Sequence, residues 1–580
     1  MTPEERYKIT SEDYSDLIIE YDRNTPLLEQ FQDDTIQIMN NRFAIVYIPS
    51  SQLTNRSISQ FGYSALPTCF GLVSERSLDA SGVNKIRNLP YFNLRGEGVL
   101  IGIVDTGIDY TNPAFLNKDG TSKIVSIWDQ TIDSGEDRYP GGGTYGEGII
   151  YGEPVYYGTE YSKDQINQAL SSSSPFDIVP SRDELGHGTM LAGIAAGSEI
   201  EADNFSGVAP DAELVIVKLK QAKTALRNFF SIPLDVPCYQ ENDIMWGTQY
   251  LTRVSRTLNR PMAICIGLGS SQGSHRSRGA LSTLLSVAGN FPGVCIVIAG
   301  GNEGSARRHF FSTIEPDEKY KSVELNIGEN ITGFSMEIWG NAPGSYSIDI
   351  SSPSGEYIPQ IENRLVVSQE VTFMFERTKI LVDYQTAETR SGEQLILLRF
   401  HDPTPGTWQF NVYNNSDLSG NFHIWLPSDD FISVNTYFLQ PNSFTTITSP
   451  GNSIIPITVT AYNTANNVLY QNAGRGYSAS NIVKPELAAP GVDMLSPTLE
   501  HGFSRVTGTS PAAAHTAGVA ALLLEWGIIH GNFTGITSVE VKKFLIRGAE
   551  RRSNLSYPNE YWGYGTLNIY NAFNILRSDI

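Results

Sequence analysis

The chain has 580 residues, of which 40% are hydrophobic and 18% charged, and its formal net charge is −21. Because a single domain usually has roughly 100–200 residues, we expect two or three globular domains with ample cores. The acidic balance argues against binding to nucleic acid or to an anionic membrane surface, and it favours a soluble protein.

The amino terminus and the cysteines bear on cellular location. The opening stretch MTPEERYKITSEDYSD lacks the basic and apolar regions of a signal peptide, and no stretch reaches the roughly 20 apolar residues of a membrane span. The four cysteines form no CxxC pair, so zinc and thioredoxin-type sites have no support: Cys69, Cys238, Cys265 and Cys295. We expect a protein kept in the cytoplasm or released without a cleaved signal.

Residues 1–75 have the pattern of a small separate unit. Apolar runs at 17–19, 35–39 and 43–48 indicate strands, the last two around an Asn40-Asn41 turn, and 26–31 and 51–61 indicate helices. This β-α-β-β-α order predicts a ferredoxin-like module. A linker follows it.

Residues 76–318 alternate apolar strands with helices. Short continuous apolar runs, typical of parallel strands buried on both faces, occupy 98–104, 214–219, 262–268 and 294–299. Helical patterns occupy 188–196 and 241–254. The alternation predicts an α/β domain with a parallel sheet, helices on both of its faces, and ligands at the carboxyl ends of the strands.

Residues 319–448 change to short strands of alternating polarity, as at 322–327 and 408–413, with no helical pattern. This pattern predicts an all-β, jelly-roll-like sandwich. Because alternating strand and helix patterns resume in 449–580, we interpret the sandwich as an insertion into the α/β domain. Its aromatic residues Trp408, Phe410 and Trp425 predict a rigid core that clamps the α/β domain; docking of carbohydrate or protein is the alternative.

Three short motifs carry the residue types of nucleophilic catalysis. Asp105 follows an apolar strand, His187 lies between glycines before an alanine-rich helix, and Ser510 begins another such helix. The order aspartate, histidine, serine is one of three chain orders found in hydrolases with this triad. Ser510 would be the nucleophile, His187 the general base, and Asp105 the group that orients the imidazole.

The same hydrolase needs an oxyanion donor and a surface that binds peptide. Asn302, which follows a strand within a glycine-rich stretch, is the predicted oxyanion donor beside the Ser510 backbone N–H. Edge backbone for an extended substrate is predicted at four positions: Leu268, Gly269, Gly300 and Gly301.

Each motif also has an ordinary structural explanation. The Asp105 motif could be a turn or half of an aspartic protease pair, the His187 motif a turn with a surface histidine, and the Ser510 motif a helix N-cap. Asn302 could equally cap a turn. The joint occurrence in the correct order, each at a strand end or helix start, favours catalysis.

Four stretches resemble the aspartate, histidine, asparagine and serine motifs of the subtilisin family: IGIVDTGID (101–109), ELGHGTMLAGIAAG (184–197), AGGNEG (299–304) and VTGTSPAAAHTAGVAALLLE (506–525). The resemblance covers about residues 80–315 and 450–575. It implies a serine endopeptidase with Asp105, His187 and Ser510 as triad, Asn302 as oxyanion donor, a protein substrate and no required cofactor. Calcium near the acidic loop 199–204 is an alternative that the spacing does not support.

The unit of residues 1–75 precedes this domain as a prodomain would. We expect it to act as folding template and inhibitor, and to be cut off by Ser510 within 60–75. An accessory domain of ordinary function is the alternative.

Two features narrow the resemblance. Asp105 and His187 are 82 positions apart, with a Gly/Tyr-rich loop at 141–161 predicted as a rim of the cleft, and the β insertion separates His187 from Ser510. With a short prodomain and no signal peptide, the chain resembles the Csp proteases of spore-forming anaerobes. That resemblance implies limited activation of a pro-form of a cortex-lytic enzyme during germination, in the cytoplasm or spore. The alternatives are a general degradative subtilase and a non-catalytic binding protein with an occluded cleft.

Overall fold

A computed structural model describes residues 3–54, 57–72, 81–87, 93–133, 157–361 and 366–578. Within these ranges the chain forms an N-terminal unit, an α/β unit and a β-sandwich inserted between two segments of the α/β unit. The predicted fold class, a parallel sheet covered by helices with an inserted all-β region, is confirmed.

The N-terminal unit contains α1 (Pro3–Thr10), β1 (Tyr14–Glu20), β2 (Thr35–Ile38), β3 (Phe43–Pro49) and α2 (Ser57–Phe61). Its sheet has the order β1-β3-β2, and β3 is antiparallel to both neighbours. With β3 between β1 and β2, the sheet has the strand order expected of a ferredoxin-like module. The predicted helix 26–31 is a 3₁₀ helix, Thr25–Phe31. Of the predicted helix 51–61, the described residues contain a 3₁₀ turn, Ser50–Gln52, and the short α2.

The first segment of the α/β unit, together with the strand that leads into it, contains these elements: β4 (Cys69–Leu72), α3 (Val83–Arg87), β5 (Leu100–Asp105), β6 (Ile124–Asp129), β7 (Thr159–Ser162), α4 (Lys163–Leu170), α5 (Pro175–Ile178), α6 (His187–Ala196), β8 (Glu213–Lys218), α7 (Thr224–Phe230), β9 (Tyr239–Gln240), α8 (Glu241–Thr257), β10 (Met262–Ile266), β11 (Leu268–Gly269), α9 (Ala280–Ala288) and β12 (Val294–Ala299). The predicted strands and helices of this region are all present, with ends shifted by a few residues.

Among the described residues, the inserted β-sandwich has eleven strands: β13 (His309–Ile314), β14 (Tyr320–Ile327), β15 (Gly333–Gly340), β16 (Tyr346–Ser351), β17 (Tyr357–Ile361), β18 (Val366–Thr372), β19 (Lys379–Gln385), β20 (Gln394–His401), β21 (Gly406–Asn414), β22 (Gly420–Trp425) and β23 (Tyr437–Phe438). They form a six-stranded sheet, β13-β22-β15-β20-β19-β18, and a five-stranded sheet, β17-β16-β21-β14-β23. Because β13 pairs with β22, the sandwich already begins ahead of the predicted boundary at 319.

The second segment of the α/β unit completes the sheet and carries the C-terminal helices: β24 (Ile457–Asn463), β25 (Val468–Leu469), β26 (Leu487–Pro490), β27 (Met494–Pro497), β28 (Phe503–Val506), α10 (Thr509–Leu524), α11 (Ser538–Gly548) and α12 (Ile569–Ser578). The main sheet has the order β25-β24-β12-β10-β5-β8-β6-β7, with β26 on β24. Helices α6 and α10 cover one face and α8 and α9 the other, which explains why the central strands are apolar throughout.

One apolar cluster is shared by all three parts of the molecule, and we call it the junction core. It includes Leu17 and Leu66 of the N-terminal segment, Phe230 of the α/β unit, and Trp339 and Trp425 of the sandwich. Trp425 therefore packs between the parts, whereas Trp408 and Phe410 lie inside the sandwich. The insertion is thus joined to the rest of the molecule by a continuous hydrophobic contact.

One helix among the described residues, Thr509–Ile529, is long and apolar enough by composition to cross a membrane. Most of it is buried inside the α/β unit, between the main sheet and α6. A buried core helix of this kind has the same composition as a membrane span.

A substitution of Trp408 tests how much its packing in the sandwich core contributes to stability. Its indole is fully buried and its Nε1 donates to the Thr404 carbonyl at 2.9 Å. Trp408→Ala leaves a cavity and is expected to destabilise the sandwich by about 3–5 kcal/mol, measured by urea unfolding followed by circular dichroism. The control Phe375→Ala, at a side chain that is 82% exposed, should change stability little. Equal effects of the two variants would contradict this core.

Candidate active site

Asp105 and His187 form a buried pair at the carboxyl end of the main sheet. Asp105 is the last residue of β5 and is fully buried, and His187 is the first residue of α6. His187 Nδ1 lies 2.7 Å from Asp105 Oδ1, which also accepts the Thr106 N–H at 2.8 Å. The carboxylate therefore orients the ring through Nδ1 and turns Nε2 towards the opposite side.

A close approach of two backbone segments sets this distance. A Cβ atom on Gly188 would lie only 2.1 Å from the Gly107 carbonyl oxygen, so the start of α6 touches the turn after Asp105. Gly186, the residue before the helix, has a φ of +81°, which L side chains rarely adopt. The two glycines that flank His187 are thus explained by geometry.

Asp183 ties the two motifs together, a role that the sequence analysis missed. Its Oδ1 accepts the Thr106 hydroxyl at 2.8 Å, and its Oδ2 accepts the N–H and the hydroxyl of Thr189 at 2.9 and 2.8 Å. The Thr106 hydroxyl in turn accepts the Gly188 N–H at 2.9 Å. One carboxylate therefore links the turn after Asp105 to the first turn of α6. An acidic residue shortly before a predicted helix was the available signal.

Ser510 is the second residue of α10 and is fully buried. Its hydroxyl donates to the Gly267 carbonyl at 2.8 Å. A Cβ atom on Gly267 would lie 3.1 Å from His187 Cε1 and 3.3 Å from Ser510 Cβ, so the imidazole and the serine converge on this glycine. The hydroxyl is thus directed at this carbonyl in the structure, and rotation about χ1 is the movement that would turn it towards the imidazole.

Asn302 lies beside the start of α10. Its Oδ1 accepts both the N–H and the hydroxyl of Thr509 at 3.3 Å, and the Thr509 hydroxyl accepts the Gly301 N–H at 3.0 Å. With its oxygen engaged in this way, the side-chain Nδ2 is the group that can donate to an anion at the helix start. The Ser510 backbone N–H lies in the first turn of the helix, where N–H groups have no acceptor within the helix and can bind an anion.

A strand from the N-terminal segment already lies in the groove leading to Ser510. β4 pairs with β11 in the register Gly71↔Gly269 and Leu72↔Leu268. On its other edge β4 pairs with β9, Cys69 opposite Gln240. The register with β11 runs towards Gly267, whose carbonyl accepts the Ser510 hydroxyl. The groove therefore binds an extended chain between two strands.

This pairing supports Leu268 and Gly269 as edge backbone but corrects the prediction for Gly300 and Gly301. The Gly300 N–H donates to Val459 at 3.0 Å, and its carbonyl accepts from Thr448 at 3.1 Å. The Gly301 N–H donates to the Thr509 hydroxyl, and the Gly301 carbonyl accepts the Gly474 N–H at 2.7 Å. Their backbone groups are consumed by internal contacts, so the second edge of the groove is Tyr239–Gln240, which the sequence analysis missed.

An open cleft lies beside His187 and Asn302. It has a volume of about 780 Å³, and the hairpin of β27 and β28 with its connecting loop, including Leu499, forms one wall. Residues 141–156 of the predicted Gly/Tyr-rich rim lie outside the described residues. Of the remainder, Tyr157 is buried against Trp128 at the edge of the sheet.

Basic side chains bind one carboxylate of the loop after α6, which was considered for calcium, and the backbone on either side of that loop. Glu199 pairs with Arg95 at 2.9 Å. The Arg87 guanidinium donates to the carbonyls of Gly207 and Val208, and the buried Lys123 ammonium donates to those of Ala196 and Pro210. Across the described ranges no group of three histidine, cysteine, aspartate or glutamate residues has the arrangement of a metal site.

The four cysteines are free and buried. Burial raises the pKa of the Cys69, Cys265 and Cys295 thiols, that of Cys295 to about 12. Such thiols remain protonated near neutral pH and are poor nucleophiles. Ser510, which converges with His187 on Gly267, therefore remains the candidate nucleophile.

Comparison with known proteins agrees with this geometry. Residues 96–332 and 418–565 match the model of the subtilase family of peptidases. The chain is 24% identical to subtilisin-like protease SBT1.9 of Arabidopsis thaliana over 476 residues, which cover 76% of this chain and 58% of the relative. It is 23% identical to subtilisin-like protease SBT3.4 of the same plant, covering 75% and 57%. The chain thus spans under three fifths of the length of these relatives.

A solved structure gives a more complete match. The structure of the Clostridium perfringens CspB protease aligns with a TM-score of 0.75 and 31% sequence identity, and the alignment covers 86% of this chain and 97% of that one. The match therefore extends over more than the α/β unit alone. Together, the family match and the placement of Asp105, His187, Asn302 and Ser510 show that this chain belongs to the subtilase family.

Proposed function

We propose that this protein is a serine endopeptidase that acts through an acyl-enzyme. The observation that carries the proposal is the buried Asp105–His187 pair at 2.7 Å, which converges with Ser510 on Gly267 at the start of α10. Peptide hydrolysis at neutral pH requires a hydroxyl nucleophile, a base that takes its proton and a carboxylate that orients the base.

The reaction follows from these positions. Ser510 Oγ attacks the scissile carbonyl carbon while His187 Nε2 takes the hydroxyl proton, and Asp105 stabilises the imidazolium. The negative oxygen accepts hydrogen bonds from the Ser510 N–H and Asn302 Nδ2. His187 then gives the proton to the leaving amine, and the C–N bond breaks. A water molecule, deprotonated by His187, releases the acid product and restores Ser510.

We also propose that the chain is a zymogen that cleaves itself. β4 lies in the groove as a substrate would, and its register runs towards Ser510. The expected cleavage falls after Leu72, within 73–80, which lies outside the described residues and overlaps the predicted 60–75. The N-terminal unit is held in place by Asp16, whose carboxylate binds the buried Lys223 ammonium at 2.5 Å and the Gln240 amide at 2.8 Å.

Ser510→Ala tests both proposals. We expect the wild-type chain to separate into two fragments during expression, and the variant to remain at 63.8 kDa. Intact-mass spectrometry gives the cleavage position. A fluorophosphonate should label the wild-type protein at Ser510. A folded wild-type protein that is neither cleaved nor labelled would instead favour the non-catalytic binding protein, and cleavage of Ser510→Ala would assign the cut to another protease.

Asp183 should act as a positioning residue. Asp183→Asn replaces a charged acceptor that holds Thr106 and Thr189, so the base tilts while the peptide groove is unchanged. We expect kcat/KM to fall by about 10–100-fold, mostly in kcat, for a peptide substrate. The exposed Asp177→Asn is the control. An equal loss in both variants, or a loss confined to KM, would show that Asp183 does not position the histidine.

We further propose that the natural substrate is a pro-form of a spore cortex-lytic enzyme and that the protein acts in the cytoplasm or spore of a spore-forming bacterium. Support comes from the sequence resemblance to Csp proteases and the structural similarity to a CspB protease. Incubation with such a pro-form should give conversion at a single site, while casein should remain largely intact. Rapid degradation of both proteins would favour the general degradative subtilase.

A further inference from the structure

A buried carboxylate lies where the three parts of the molecule meet. Glu337 is on β15 and is 2% exposed. Its Oε1 accepts the Tyr63 hydroxyl at 2.6 Å, and its Oε2 accepts the Gly273 N–H at 2.8 Å and Trp339 Nε1 at 2.9 Å. Each donor comes from a different part: the N-terminal segment, the α/β unit and the sandwich itself.

The alternation of β15 explains why a carboxylate faces this junction. Met336 and Ile338 point into the core of the sandwich, whereas Trp339 belongs to the junction core and Glu337 lies on the same side of the strand. The Trp339 ring also meets the Tyr63 ring edge-on, with centroids 5.4 Å apart. The sandwich therefore presents an aromatic wall and a hydrogen-bond acceptor to the same tyrosine.

This tyrosine is part of the segment that enters the active-site groove. Tyr63 precedes Leu72, at the end of β4, by nine residues. Between them, the Thr68 N–H and carbonyl bind the side chain and N–H of Glu241, and the Cys69 N–H donates to the Gln272 side chain at 2.8 Å. The segment therefore contacts the α/β unit at several points between Glu337 and the pairing of β4 with β11.

The sandwich makes further contacts with the same short stretch. The Tyr63 N–H donates to the Gln385 side chain at 3.2 Å, and the Ser64 and Thr389 hydroxyls are 3.3 Å apart. A cavity of about 50 Å³ remains beside Tyr63, lined also by Trp339 and Arg390. Burial raises the pKa of the Glu337 carboxyl, which the three donors oppose. Loss of the hydroxyl donor would leave a buried acceptor short of one partner, which costs free energy.

We propose that Glu337 and Trp339 form a distal specificity subsite of the groove, built by the inserted sandwich, that selects a tyrosine side chain upstream of the cleaved bond. This inference rests on the proposed function, because it names a feature of the protein substrates that Ser510 would cleave. The chain's own segment 63–72 is the first such substrate. A phenylalanine fits the aromatic wall but leaves Glu337 without its donor, so the subsite discriminates through one hydroxyl group.

After self-processing the N-terminal fragment still fills the groove and contacts Glu337, so it is first separated from the cleaved enzyme. The test then uses two fluorogenic peptides with the sequence of residues 60–80, one native and one with Tyr63→Phe. We expect the phenylalanine peptide to lose about tenfold in kcat/KM with the wild-type enzyme and less than about twofold with Glu337→Gln. The matched controls are a Gln60→Ala peptide, changed at an exposed position, and the exposed enzyme variant Glu370→Gln, which should both behave as wild type.

The outcomes separate this inference from the proposed function. Equal cleavage of the two peptides by the wild-type enzyme overturns the subsite and leaves the endopeptidase intact. Labelling of Ser510 by a fluorophosphonate without cleavage of either peptide also overturns the subsite. Absence of both labelling and cleavage overturns the proposed function and the subsite with it. Because the tyrosine change is made in the peptide, the comparison with the wild-type enzyme does not depend on the folding of Glu337→Gln.

Discussion

The contact between Gly188 and the Gly107 carbonyl is the constraint on which the active site depends. It allows no side chain between the start of α6 and the turn after β5, and so it brings His187 within hydrogen-bond distance of Asp105. Asp183 fixes the same junction by charge, since its carboxylate holds both Thr106 and Thr189. Steric fit and a satisfied buried charge therefore act on one pair of backbone segments. A general base must be held rigidly, because a small displacement from the group that it deprotonates strongly lowers the reaction rate.

A second constraint is the junction core, which makes the three parts of the molecule dependent on one another. The N-terminal sheet contributes Leu17, the α/β unit Phe230, and the sandwich Trp339, all buried in one cluster. Polar groups in the same region are paired across the parts, as Asp16 is with Lys223. Because apolar burial and a desolvated ion pair act together there, separation of the N-terminal unit would expose both. Its strand in the groove is therefore held by more than its backbone pairing.

The sequence predicted the strand and helices that carry Asp105, His187 and Ser510 because their signals are local. Asp105 follows an apolar strand and Ser510 precedes a run of alanines, and each pattern is complete within about ten residues. The β-sandwich was similarly evident from alternation of polarity. The seating of β4 between β11 and β9 could not be predicted, since it joins segments about 170 and 200 residues apart whose own patterns are too short. Gly300 and Gly301 were misassigned for the same reason: their backbone partners, Val459 and Gly474, are distant in the chain.

The burial of Glu337 could not be predicted from the sequence and is evident only from the packing in the structure. In the alternating pattern of β15 it reads as one more solvent-facing residue between Met336 and Ile338. Only the packing of that face against two other parts turns it into a buried carboxylate with three donors. A buried acceptor discriminates between partners more strongly than an exposed one, because an unmatched partner leaves it without compensation from water. An insertion that places one at the groove can therefore alter which chains bind there while the triad remains unchanged.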